Sequence, residues 1–330
     1  GTNLASSLTM MYVVHRLIPT FKLSLKHYDR SLMRSVMGFS LYAYLITFTN
    51  LIILKTDQLV ISVFGSVAMV AIYQISIRLT DTYQKFSGQF LDNLGPVSAT
   101  LFAAGNKSKM TEVMIESNRL MGIISSLLLV PLIVYVKPLL NIWLELDHTA
   151  GMICALILLI SMYVLLFFRS SSVYVLLMAN EHKILAVVAV IEAIANLGLS
   201  IMFIHLMPRW LAGYNIPDAA IIGVAAGTFI PNVIMAFVFN IPKACRFAGI
   251  SIAQYFKDVV LRTLIVTAIS FGFAFGLYKL AYPGRLLMVL LYGALTATFY
   301  LILTYFIGLK VWEKKQIRDY IRSKISHAAS

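Results

Sequence analysis

Nine apolar runs, most of them longer than twenty residues, follow one another along this chain, over 2–17, 36–63, 67–103, 113–136, 150–178, 184–207, 220–241, 259–281 and 286–309. About 20 apolar residues wound as an α-helix rise through the roughly 30 Å of hydrocarbon in a bilayer, whereas a barrel strand needs only about 9–11. Lipid offers no hydrogen bonds, so a spanning segment must satisfy its own backbone, and runs of this length do so as helices. The run at 2–17 is incomplete. The expectation is an all-α, polytopic transmembrane bundle with about eight complete spans and one partial. Hydrophobic residues make up 60% of the chain and charged ones 12%, against about 45–50% apolar usage and about 25% charged residues in soluble domains. A water-soluble fold is excluded.

The formal net charge of +13 points to topology rather than nucleic acid, because the basic residues fall between the apolar runs and not along one amphipathic face. Placing the loop that holds Arg16 and Arg34 in the cytoplasm leaves eighteen of the 27 Lys and Arg residues on that side and five outside, with Arg78, Lys85, Arg119 and Arg169 inside runs. Cytoplasmic loops carry such an excess, so the expected location is the cell inner membrane with a cytoplasmic carboxy terminus. The basic tail at 310–324 would rest on anionic lipid headgroups. The chain opens on Gly1, and its first apolar stretch precedes Arg16 instead of following a charge. It reads as the tail of a helix cut short and not as a signal peptide, so the chain is expected to be part of a longer protein.

Motifs for soluble chemistry are missing. Cys154 and Cys245 lie in apolar surroundings without CxxC spacing, the six histidines show no ligand spacing, and no Walker A or GxSxG pattern occurs. Neither metal nor cofactor is expected. The loops leave no room for a catalytic domain. Gly223 with Gly227 and Gly272 with Gly276 form two GxxxG pairs inside runs, each expected to let helices approach closely. Pro96, Pro131 and Pro231 lie within runs, where a missing N–H favours a kink.

The run at 67–103 is unlike the others. Gln74, Arg78, Asp81, Lys85, Gln89 and Asp92 recur there at spacings of 4, 3, 4, 4 and 3, which on a helix places all six within an arc of about 80° over roughly 27 Å of rise. Ionised groups at that depth cost a few kcal/mol each or more, so the stripe must face other helices or water. Some of these charges would cancel: Arg78 with Asp81, Asp81 with Lys85, and Asp92 with Arg119, which stands equally far from the Gly105–Asn106 turn. Arg169 and Glu192, about equally distant from the Glu181–His182 turn, would pair likewise. The remainder is one surplus positive charge on the stripe, suited to an anion such as a pyrophosphate. Asp57, on the run that also carries Ser40, Tyr44, Thr47 and Asn50, would add a second cavity wall or serve as a cap.

The segments KTDQLVISVFG from Lys55, VAIYQISIRL from Val70 and LGPVSATLFAAGNKSKM from Leu94 resemble the polysaccharide biosynthesis family of Wzx-type O-antigen flippases, which shares a superfamily with the lipid II flippase MurJ and the MATE drug exporters. Asp57, Tyr73, Arg78, Leu79, Pro96 and Gly105 stand at the places that carry the likeness. The resemblance implies two six-helix lobes around a central cationic cavity. Residues 1–34 would then be the end of the first lobe and a basic linker, 35–250 the six-helix second lobe, and 251–330 two additional helices with the basic tail. It implies a flippase, not an enzyme, that moves a lipid-linked oligosaccharide by alternating access for surface polysaccharide biosynthesis. Its partners would be that anionic substrate, membrane lipids, the absent first lobe and polysaccharide polymerase or assembly proteins, with no nucleic acid. Arg78→Ala and Lys85→Ala are each expected to abolish export. A MATE-like, cation-coupled antiporter is the nearest alternative and would favour acidic groups in the cavity. A membrane-embedded polymerase or glycosyltransferase is a second, though it would carry its catalytic residues on a large outer loop. A non-transporting scaffold is a third.

Overall fold

A computed structural model describes residues 6–7, 9–11, 13, 16, 29–144, 148–310, 313–315 and 318–319, with the side chains at 31–32, 34–36, 39, 54, 90, 93 and 144 outside that description. The incomplete span expected at 2–17 and most of the basic tail lie largely outside the described residues. All regular structure among those described is helical. The chain divides into two compact units, Gly1–Tyr44 and Leu45–Ser330. The first holds the opening of helix α1, Arg30–Phe64.

In the second unit α1 ends at Phe64 and Ser66 caps α2, Val67–Gly88, its hydroxyl accepting from the Met69 N–H. A tightened 3₁₀ stretch, Gln89–Asn93, leads into α3, Leu94–Ala103. Asn106 then caps α4, Lys107–Val134, and a short α5, Val136–Leu144, comes after it. The remaining long helices are α6 (Thr149–Met178), α7 (His182–Trp210), α8 (Ala220–Ala248), α9 (Ile252–Leu280) and α10 (Leu286–Gly308). Among the described residues seven helices, Ser40–Phe64 within α1 together with α4 and α6 to α10, are long and apolar enough to cross a membrane. The 67–103 run is not among them, because its charges and the 3₁₀ stretch divide it into α2 and α3. A single stripe of constant helical pitch therefore ends near Gly88.

Three apolar clusters hold this unit together, the smallest joining α4, α9 and α10 around Val130, Tyr135, Ala274 and Val289. Of the two larger, one joins α2, α4, α6, α8 and α9 around Tyr83, Met114, Met121, Leu159 and Phe167, and the other joins α1, α2, α6, α7 and α8 around Ile61, Tyr73, Cys154, Ile221 and Val224. Both cysteines are buried and unbridged. The first GxxxG pair acts as expected. A Cβ on Gly223 would lie 2.2 Å from the Phe203 carbonyl oxygen, and one on Gly227 would lie 2.5 Å from the Ser200 hydroxyl, so α7 and α8 meet backbone to backbone. The second pair does not: Gly272 and Gly276 have nothing within 4 Å of such a Cβ. Pro131 and Pro231 lie inside α4 and α8. Helix α8 also widens into a π stretch, Met235–Asn240, and α6 does so without a proline at Leu165–Ser170. Such bulges recur at functional sites. α9 and α10 pack on α4 within the same unit, where Tyr135 just past α4 donates 3.2 Å to the Ala274 carbonyl and shares a 3.1 Å bond with Thr296.

Candidate functional site

The polar residues of α2 reach into the space between α1, α6, α7 and α8. Two cavities open there. The larger, about 610 Å³, is bordered by Lys85, Gln89 and Asp92 from the α2–α3 segment, Arg169 and Tyr174 from α6, Glu192 from α7 and Asn240 from α8. The smaller, about 250 Å³, is bordered by Asp57, Tyr73, Asp81, Asn196, Thr228 and Asn232. Asn50, Gln84, Leu165, Arg169 and Glu192 border both, so the two form one polar recess with a waist at Arg169.

That waist is built by the π stretch of α6, which carries Arg169. The guanidinium grips Glu192 in a fork, 2.6 and 2.7 Å to the two carboxylate oxygens, and donates 2.6 Å to Oδ1 of Asn232. Asn232 is held in turn by its own donation to the carbonyl and hydroxyl of Ser161, at 2.6 and 3.0 Å. Three helices are thereby locked at one point. A forked Arg–carboxylate pair is the strong form of this contact, and with both side chains nearly buried the loss of either partner would strand a charge.

Asp57 lies deeper. It is 4% exposed and makes no ion pair among the described residues. Its carboxylate accepts from Tyr73 at 2.7 Å and Thr228 at 2.6 Å on one oxygen, and from Ser200 at 3.3 Å on the other. Asn196 steadies Thr228 through a 2.9 Å bond and leaves its own Oδ1 without a partner. This is an oxygen-rich nest around an acid that no cation balances among the described residues. Hydroxyl donors compensate part of the cost of burying this acid.

Seven of the nine residues expected from the sequence border the recess: Asp57, Asp81, Lys85, Gln89, Asp92, Arg169 and Glu192. Gln74 and Arg78 do not. Gln74 is half-buried and Arg78 exposed; they share the helical face of Asp81 and Lys85 but border neither cavity. The expected cancellation along the stripe also fails, because Arg78, Asp81 and Lys85 form no ion pair with one another among the described residues. Arg119 does not meet Asp92. It is 2% exposed and bonded to Glu116, to Glu313 and, at 3.2 Å, to the Gly308 carbonyl. With Arg78 elsewhere, the surplus charge of the lining changes sign. Lys85 and Arg169 stand against Asp57, Asp81, Asp92 and Glu192. The expected pairing of Arg169 with Glu192 does form.

Neither a family model, nor a curated protein, nor a solved structure matches this chain.

The site is therefore defined by its own residues. Sequence reading overlooked Tyr73, Asn196, Ser200, Thr228 and Asn232 as site residues. A signal existed: Asn196 with Ser200, and Thr228 with Asn232, are i,i+4 polar pairs on otherwise apolar helices, a spacing that aims both members at one neighbour. Among the described residues no group of three His, Cys, Asp or Glu side chains is placed to hold a metal ion.

Proposed function

We propose that this chain is part of a secondary transporter that moves a lipid-linked oligosaccharide across the inner membrane, with a proton or small cation taken up at Asp57 coupled to the movement. The observation that carries this reading is the polar recess of about 610 and 250 Å³ among helices long enough to span a bilayer. Ionisable groups at such depth border ligand or ion paths more often than they serve packing. Lys85 is exposed, borders the larger cavity and forms no ion pair among the described residues, so it is the group that would meet a pyrophosphate. The carboxy terminus is assigned to the cytoplasm on the charge bias of the loops. The resemblance to Wzx-type flippases supports the choice of cargo.

A cation-coupled antiporter for a positively charged small molecule is the second reading, and the acidic balance of the lining favours it. The two readings part on Lys85→Ala. Loss of lipid-linked sugar export with an unchanged protein level supports the first, while unchanged export together with lost efflux of a cationic dye supports the second. Arg78→Ala, which the stripe alone would place beside Lys85, is expected to leave transport intact.

A further inference from the structure

At the opposite end of the bundle from the His148–Asp218 contact (3.3 Å), the beginnings of α4 and α9 and the close of α10 surround a separate cavity of about 640 Å³. That size lies within the roughly 300–1,000 Å³ of small-molecule sites. One of its walls is already neutral. Arg119 bonds Glu116 and Glu313, Lys310 Nζ bonds Glu116, and the Lys310 N–H donates 2.7 Å to Glu313. Two positive and two negative side chains thus close on one another. Glu112 is held by Lys109 at 2.8 Å.

The opposing wall is different. Asp258 and Arg262, one turn apart on α9, both border the cavity, both are exposed, and neither bonds another described side chain. One free carboxylate and one free guanidinium thus face the cavity beside the hydroxyls of Ser108 and Thr111. They stand where three helices of membrane length end on one side, the level at which lipid headgroups lie.

We propose that this cavity binds a phosphate–ammonium zwitterion of the phosphoethanolamine type. The phosphate sits on the fork of Arg262, which matches its geometry, and the ammonium sits on Asp258. The balanced lining selects a zwitterion: an anionic headgroup would satisfy Arg262 but leave Asp258 facing a like charge, which disfavours binding. The ligand is supplied either by a membrane lipid or as a free phosphorylated amine. This site is independent of the transport reading.

The test uses the full 330-residue chain, purified and delipidated in a maltoside detergent. Native mass spectrometry and thermal melts measure binding of dihexanoyl phosphatidylethanolamine, dihexanoyl phosphatidylglycerol and O-phosphoethanolamine. The expected result is at least about tenfold tighter binding of the ethanolamine lipid than of the glycerol lipid. Arg262→Ala should weaken the ethanolamine lipid by a similar factor, Arg262→Lys should weaken it less, and Asp258→Asn should close the gap between the two lipids. Ligand-free melts at the wild-type temperature verify that the variants are folded. Equal binding of the two lipids by the unmodified chain, binding untouched by Arg262→Ala and Asp258→Asn, or no binding at all would overturn the proposal. Binding of O-phosphoethanolamine as tight as that of the lipid assigns a soluble ligand, and binding of the lipid alone assigns the membrane.

Discussion

Arg169 and Asp57 show two ways of keeping a charge inside an apolar bundle. Arg169 is fully partnered by Glu192 and Asn232. Glu192→Ala would leave it buried and unpaired, which costs about 3–5 kcal/mol in comparable pairs. Replacing both partners, as in Arg169→Met with Glu192→Met, should return most of that loss. Thermal unfolding in detergent checks both, and an equal loss in the single and double variants would refute the coupling. Asp57 is bonded by three hydroxyls and by no cation among the described residues. Asp57→Asn keeps the shape and most of the hydrogen bonds but removes the site for a proton or cation. It should unfold close to the wild-type temperature while transport loses its dependence on the ion gradient, as read in proteoliposomes with imposed pH and sodium gradients.

At the level of helices, the recess depends on how closely α7 and α8 approach. Ser200 and Thr228 both reach Asp57 because Gly223 and Gly227 let the α7 backbone come within side-chain distance of α8. Gly227→Val should force the pair apart and destabilise by about 1–3 kcal/mol or more, whereas Gly276→Val, facing open space, should be near neutral. Parallel melts of the two variants decide it. The two GxxxG pairs are indistinguishable in the sequence, since the motif states only that approach is permitted and not which neighbour makes it. The π stretch of α6 was equally invisible. No proline or glycine marks Leu165–Ser170, and a widened turn is chosen by what its residues can bond to once α4, α7 and α8 are in place.

For the whole molecule, the alternation of helices places the start of α4 and the turn before α10 on opposite sides. Lys107→Cys should react with a membrane-impermeant thiol reagent only from the cytoplasm, and Arg285→Cys only from outside. Both native cysteines are buried and should stay silent. Reaction of both engineered sites from the same side would break the topology. The charge of the recess also belongs to this scale. Spacing along α2 alone predicts a cationic stripe, but the lining drawn from several helices is acidic on balance, because Arg78 lies beyond the cavities' reach on the shared face while Asp57 and Glu192 border them.

Run length, helical spacing and equal distance from a turn are local quantities, and they were enough to establish that the chain is helical and that most of its helices match a bilayer in length. The same quantities required a polar neighbour for Asp81 and Lys85 and brought Arg169 to Glu192. Packing of the helices was needed to show that Arg119 closes on the segment after α10 instead of on Asp92, that Arg78 borders neither cavity, and that Tyr73, Ser200 and Thr228 converge on Asp57. The partners of Asp57 stand up to 171 residues away from it along the chain. Which of several polar groups meets another across that separation is set by how the helix faces pack, and no spacing along one helix records it.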